Sequence, residues 1–138
     1  MKTKTNRRVI YITEADMQRL RPLVEGIKNS RDDLRGLDSE LKQARVVAPA
    51  EVPADVITMN SKARLRDLDT GEEMVFTVVF PGNASIEHDR ISVVAPIGTA
   101  MLGHRVGDEF AWEVPAGLVR LRVEEVLYQP EAAGHYHL

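Results

Sequence analysis

"RISVVAPIGTAMLGHRVGDEF", residues 90–110, holds a strand, a short helix and a second strand within one compact stretch. "ISVVA" is a β-prone apolar run that reaches Pro96. Proline suits the first position of a helix, where its missing N–H has no partner to lose and its φ is already set. Met101 and Leu102 close a helix of barely two turns, and Gly103 is placed to cap it. Val106, Gly107 and Asp108 then turn the chain into "EFAWEVP", where Phe110, Trp112 and Val114 alternate onto one face. The stretch contains no nucleophile–base pair, metal-ligand cluster or phosphate loop.

The flanking sequence supplies more strands. In "KARLRDL", Ala63 and Leu65 alternate with Lys62, Arg64 and Arg66, and "DTGEE" (residues 69–73) is a hairpin turn into the apolar "MVFTVVF". "LVRLRVEEVLYQ" (residues 118–129) is the last and longest strand, with Val119, Leu121 and Val123 on one face and a bulge expected near Glu124–Glu125. An antiparallel sheet packed on one short helix predicts an α+β body.

The first part of the chain has a different period. Val9 to Ile12 is a short β-prone run, and Thr13 is a candidate N-cap followed by Glu14 and Asp16 at the positive end of a helix. Met17, Leu20, Val24 and Ile27 follow at heptad-like spacing, interrupted by Pro22, where a kink is expected. Ser30 reads as a second N-cap, with Asp33 three residues on, and Leu34, Leu37, Leu41 and Ala44 repeat the spacing. Two such seams predict a short antiparallel helical hairpin with arms of about 15 residues, hence about 22 Å long at 1.5 Å per residue. Pro49 and Pro53 mark a stiff connection. The expected division is residues 1–48 for the N-terminal extension and hairpin, 49–55 for the linker, and 56–138 for the β-rich domain and short tail.

Composition narrows the function classes. The chain has 138 residues, no cysteine and a formal charge of −3. No disulfide frame or thiolate zinc site is available, and no apolar run approaches the roughly 18 residues of a membrane span, so a cytoplasmic protein with no membrane partner is expected. Lys2, Lys4, Arg7 and Arg8 make the first twelve residues basic, whereas residues 49–138 hold seven basic and fourteen acidic side chains. A body of that charge repels phosphate backbones at long range. Direct nucleic-acid binding is not expected, and a basic protein surface suits it better.

"LRDLDTGEEM", "RISVVAPIGTAMLGHRVGDEF" and "VRLRVEEV" carry a resemblance to the C-terminal, FKBP-like domain of the Gre-type bacterial transcript-cleavage factors. Within that superfamily, "VITMNSKARLRDL", "APIGTAMLGHRVGD" and the ending "YQPEAAG" resemble the Rnk branch, regulators of nucleoside diphosphate kinase. The resemblance spans roughly residues 50–134; over the helical arm only the hairpin architecture matches. It implies a body docked on the rim of the RNA polymerase secondary channel, with a coiled coil inserted toward the active site. It also implies that the strand-to-helix junction Val94, Ala95, Pro96 and Ile97 is the docking loop. Gre factors usually carry an acidic residue and a serine where this chain has Val94 and Ala95.

In Gre factors acidic residues at the coiled-coil tip help hold a catalytic magnesium ion. The expected tip here is Asn29, Ser30, Arg31, Asp32 and Asp33. Asp32 and Asp33 are also ordinary first-turn acids, favoured there by the helix dipole, and Lys28 and Arg31 flank them. A finger of two heptads on the same docking stops short of the polymerase metal. The expectation is therefore a non-enzymatic, monomeric factor without cofactor or metal, which occupies the channel and competes with Gre-type factors. Two alternatives stand beside it: a cleavage-stimulating factor using Asp32 and Asp33, and a regulator of nucleoside diphosphate kinase level or activity.

The remaining candidates have plainer readings. "HYH", with His135 and His137, reads as a chain end, and His104 as a turn residue after the short helix. Arg64, Arg66, Arg120 and Arg122 form a basic face only if cross-strand glutamates do not pair with them. Prolyl isomerase activity would need an aromatic-lined hollow, and Phe76, Phe80, Phe110 and Trp112 fall on strand positions expected to build the core. The amphipathic hairpin also offers a self-association surface.

Overall fold

The computed structural model describes residues 9–27, 35–114 and 117–134. Strand β1 (Tyr11–Ile12) leads into helix α1 (Glu14–Ile27). Thr13 caps it, its Oγ1 accepting the Asp16 N–H at 3.3 Å. The helix continues through Pro22. Helix α2 (Arg35–Lys42) returns, and strand β2 (Arg45–Val46) pairs parallel with β1. This two-stranded clasp ties both ends of the helical pair together at its base. Of the second arm the described residues cover Arg35–Lys42, about 12 Å at 1.5 Å per residue, and of the first Glu14–Ile27, about 21 Å. The expected tip, residues 29–33, and Leu34 lie outside the described residues.

The seam is buried as its spacing demands. Met17, Leu20, Val24, Leu37 and Leu41 are buried, with Ile27 and Ala44 packed at the margin. They belong to one cluster with Ile57, Leu65, Val78, Met101, Leu121 and Val123 of the sheet and its helix. The arm therefore buries its apolar side against the body as well as between its own helices. A second tie is polar: the Arg19 guanidinium lies 3.9 Å from the centroid of the Phe80 ring.

The body is a five-stranded sheet in the order β5-β4-β3-β7-β6. Its strands are β3 (Lys62–Asp67), β4 (Glu73–Val79), β5 (Arg90–Ser92), β6 (Glu109–Val114) and β7 (Gly117–Tyr128). Helices α3 (Pro96–Met101) and α4 (Pro130–Ala133) complete it. Three of the four pairings are antiparallel. β4 and β5 run parallel, contrary to the all-antiparallel expectation. The reason is the crossing at 81–89, where two 3-10 turns, Pro81–Asn83 and Ile86–His88, return the chain to the start of its neighbour. The β7 register slips where Arg64 pairs with Glu125 and Leu65 with Val123, leaving Glu124 unmatched, so the bulge lies where it was expected. Phe80 and Phe110 are buried, whereas Phe76 and Trp112 are only partly so and pack against the edge of the core cluster.

Residues 49–55 carry a 3-10 turn, Pro49–Glu51, and they are clamped to the end of the chain. Gln129, 3% exposed, donates through Nε2 to the carbonyls of Pro53 and Val56, each at 2.7 Å, and accepts the Ala132 N–H at 3.1 Å. Arg105 donates twice to Asp55, at 2.9 and 3.2 Å.

Candidate functional site

The junction of β5 and α3 is held by side-chain and backbone hydrogen bonds together. The Ala95 N–H donates to the Ser92 carbonyl at 2.9 Å, and the Val94 N–H to Ser92 Oγ at 3.2 Å. Thr99 Oγ1 donates to the Val93 carbonyl at 2.7 Å. Gly98 lets the helix lie directly on the strand end: a Cβ there would sit 2.9 Å from the Ser92 carbonyl carbon and closer still to its oxygen. These bonds fix Val94, Ala95 and Pro96 as a rigid corner.

The four predicted docking residues do not face the same way. Pro96 is exposed and Ala95 half-buried, but Val94 packs against the core and Ile97 is 5% exposed within it. A partner reaching this corner meets Ala95 and Pro96, while Ile97 anchors the corner from below. Ile86 is 90% exposed and shares a shallow cleft with Ala95, Ile91 and Ser92. The sequence reading missed it. Its signal was a lone aliphatic residue inside the polar run "NASIEHD".

The arginine face is neutralised. Arg64 pairs with Glu125 at 2.9 Å, Arg66 with Glu73 at 2.8 Å, Arg120 with Asp69 at 2.7 Å, and Arg122 with Glu124. The Arg120 hydrogen bond holds the Asp69 carboxyl below its ordinary value, and Arg122 does the same for Glu124. His104 is buried, its Nδ1 2.7 Å from the Ala100 carbonyl and its ring stacked on Phe110 with centroids 4.6 Å apart. It is a structural turn residue. His135 and His137 lie outside the described residues.

One ionisable group sits at the seam of arm and body. Asp16, 4% exposed, is pushed from 3.8 up to about 6, first by burial and then by the Glu131 carboxylate of α4; Arg19 and Thr13 pull the other way. Glu131 is itself buried and accepts the Thr58 hydroxyl at 2.7 Å. Among the described residues no group of three or more histidine, cysteine or acidic side chains is placed to hold a metal ion. No described helix is long and apolar enough to cross a membrane.

Residues 52–128 match the family described as transcription elongation factor GreA/GreB, C-terminal, and residues 8–47 match the Rnk N-terminus. The chain belongs to the Rnk branch of the GreA/GreB family. It is 42% identical over 135 residues to the regulator of nucleoside diphosphate kinase of Escherichia coli K12, covering 96% of this chain and 99% of that one. It is 34% identical to the transcription elongation factor GreA of Syntrophotalea carbinolica over 69% of this chain, but spans only 60% of that GreA. Among solved structures it is similar to a GreA/GreB elongation factor from Nitrosomonas europaea, with a TM-score of 0.77 and 39% identity over 88% of this chain and all of that one. These Rnk and Gre relatives are named as regulators and transcription factors, not as enzymes.

Proposed function

We propose that this chain binds RNA polymerase, fills its secondary channel without stimulating transcript cleavage, and competes there with Gre-type factors. The observation that carries the reading is the pairing of a rigid exposed corner with a short arm. Ala95, Pro96 and Ile86 form the body's grip, and α1, about 21 Å long, forms the finger. The body 56–138 then serves as the dock and residues 1–48 as the plug, joined through the shared core and the Arg19–Phe80 contact. The relation to Gre factors over 52–128 supports the polymerase as partner. Asn29, Ser30, Arg31, Asp32 and Asp33 remain the proposed tip.

The test is binding of the protein to core RNA polymerase. Ala95→Arg at a half-buried position of the corner and Ile86→Asp at an exposed one should each weaken binding about tenfold or more while the fold is kept. Unchanged affinity in both variants contradicts the assignment of this corner. The printed name of the Escherichia coli relative favours a second reading, regulation of nucleoside diphosphate kinase level or activity. Direct capture of that kinase by this protein, with no polymerase binding, would favour it.

A further inference from the structure

On the solvent face of the sheet, at the end away from the paired arginines, lies a cleft of about 980 Å³. Its floor is a single cross-strand row, Arg90–Thr77–Lys62–Tyr128, running over β5, β4, β3 and β7. Neighbouring strands are about 4.8 Å apart. Lys62 and Arg90 therefore stand about 10 Å apart with the Thr77 hydroxyl between them, a span that two long cationic side chains close around one small anion. At the other end of the same face four arginines each meet a carboxylate. Lys62 and Arg90 have no ion-pair partner among the described residues.

Two turns shape the rim of this cleft. Among the described residues two non-glycine residues have positive φ, Asn60 at 67° and Asp89 at 55°, and both line it. Asparagine and aspartate adopt this conformation readily, and here it turns the chain at the rim of the cleft. Asn60 and Asn83 add amide groups at the rim, and Tyr128 and Leu127 provide an apolar wall beside Lys62. Asp89 is the one carboxylate in the lining, so the cationic pair outweighs it.

We infer that this cleft is a binding site for a small phosphorylated molecule, its phosphate seated over Thr77 between Lys62 and Arg90. Guanidinium and ammonium groups are the usual phosphate partners, and the threonine hydroxyl adds a donor. The tyrosine wall suits a flat ring carried by the same ligand. The acidic body opposes the binding at long range, so affinity falls in the micromolar-to-millimolar range and weakens with salt. The cleft's chemistry does not depend on the polymerase reading.

The test is an NMR titration of the full chain with pyrophosphate, adenosine 5′-diphosphate and adenosine. The two phosphates should saturably shift the amides of residues 60–62, 77 and 88–90, and adenosine should not. Tighter binding of the diphosphate nucleotide than of pyrophosphate assigns the ring to the Tyr128 wall; equal binding assigns the site to the phosphate alone. Lys62→Ala and Arg90→Ala, both at exposed positions, should each weaken binding about tenfold with the amide spectrum otherwise kept. Absence of saturable shifts, shifts confined to the basic residues 2–8, or unchanged affinity in both variants overturns the inference.

Discussion

Gly98 lies against the carbonyl of Ser92 so closely that no side chain fits between α3 and the end of β5. Ordinary helix–strand packing leaves room for at least a methyl group. Here the contact is backbone on backbone, and the corner that carries Ala95 and Pro96 is drawn tight by it. Gly98→Ala must push the helix off the strand, costing about 2–4 kcal/mol. Gly82, with nothing within 4 Å of where its Cβ would be, is the control. Denaturant titration should show a large loss of stability for Gly98→Ala and a change within about 0.5 kcal/mol for Gly82→Ala.

Asp16 makes stability fall as pH rises. Its carboxyl titrates near 3.8 when unfolded and near 6 when folded. The folded state therefore holds the proton more tightly, and its stabilising share is complete below about pH 4 and gone once pH has passed about 6. Two units correspond to about 3 kcal/mol at most, and residual contact with water brings the expected share to about 1–2 kcal/mol. Asp16→Asn should flatten the stability profile between pH 4 and 6.5 and raise stability at pH 7.5. An unchanged profile in thermal denaturation would show that burial beside Glu131 does not control this group.

Gln129 joins segment 53–56 to α4 with one side chain. Gln129→Ala leaves the buried Val56 carbonyl and the Ala132 N–H without this partner, while the Pro53 carbonyl keeps the Val56 N–H at 3.3 Å, at a cost of about 1–3 kcal/mol. Hydrogen exchange should accelerate at Ala132 and in residues 53–57 before it does so in β3 and β7. Uniform acceleration across the sheet would contradict a local clamp.

Arg19 over Phe80 contributes little stability, about 0.5–1 kcal/mol at an exposed site, but it joins α1 to the residue that follows β4. Arg19→Ala should lower the melting temperature by a few degrees at most. It should also reduce competition with a cleavage factor more than it reduces binding to polymerase. Equal loss of both would show that the arm's direction is set by the shared core alone.

Features fixed by local rules were readable in the residues. The Thr13 cap, the buried seam from Met17 to Leu41 and the slip at Glu124 follow from capping, helical period and strand alternation. The glutamates opposite the arginines follow from cross-strand pairing. Features made by distant contacts were not readable. The parallel partnership of β4 and β5 depends on two 3-10 turns with no strong signature. The meeting of Asp16 with Glu131 joins residues more than a hundred positions apart. The inward turn of Ile97 reflects the short helix, where the residue after the first-turn proline faces the sheet. For the site, the corner was legible as a place, while its exposed members became clear only with the fold, Ile86 among them.

The central claim is tested most directly on backtracked elongation complexes, by following transcript cleavage with this protein alone and with a genuine Gre cleavage factor added. The account predicts no cleavage above background from the protein alone and dose-dependent inhibition of the added factor. Robust cleavage by the protein alone, lost when Asp32 and Asp33 are both changed to alanine, would contradict it.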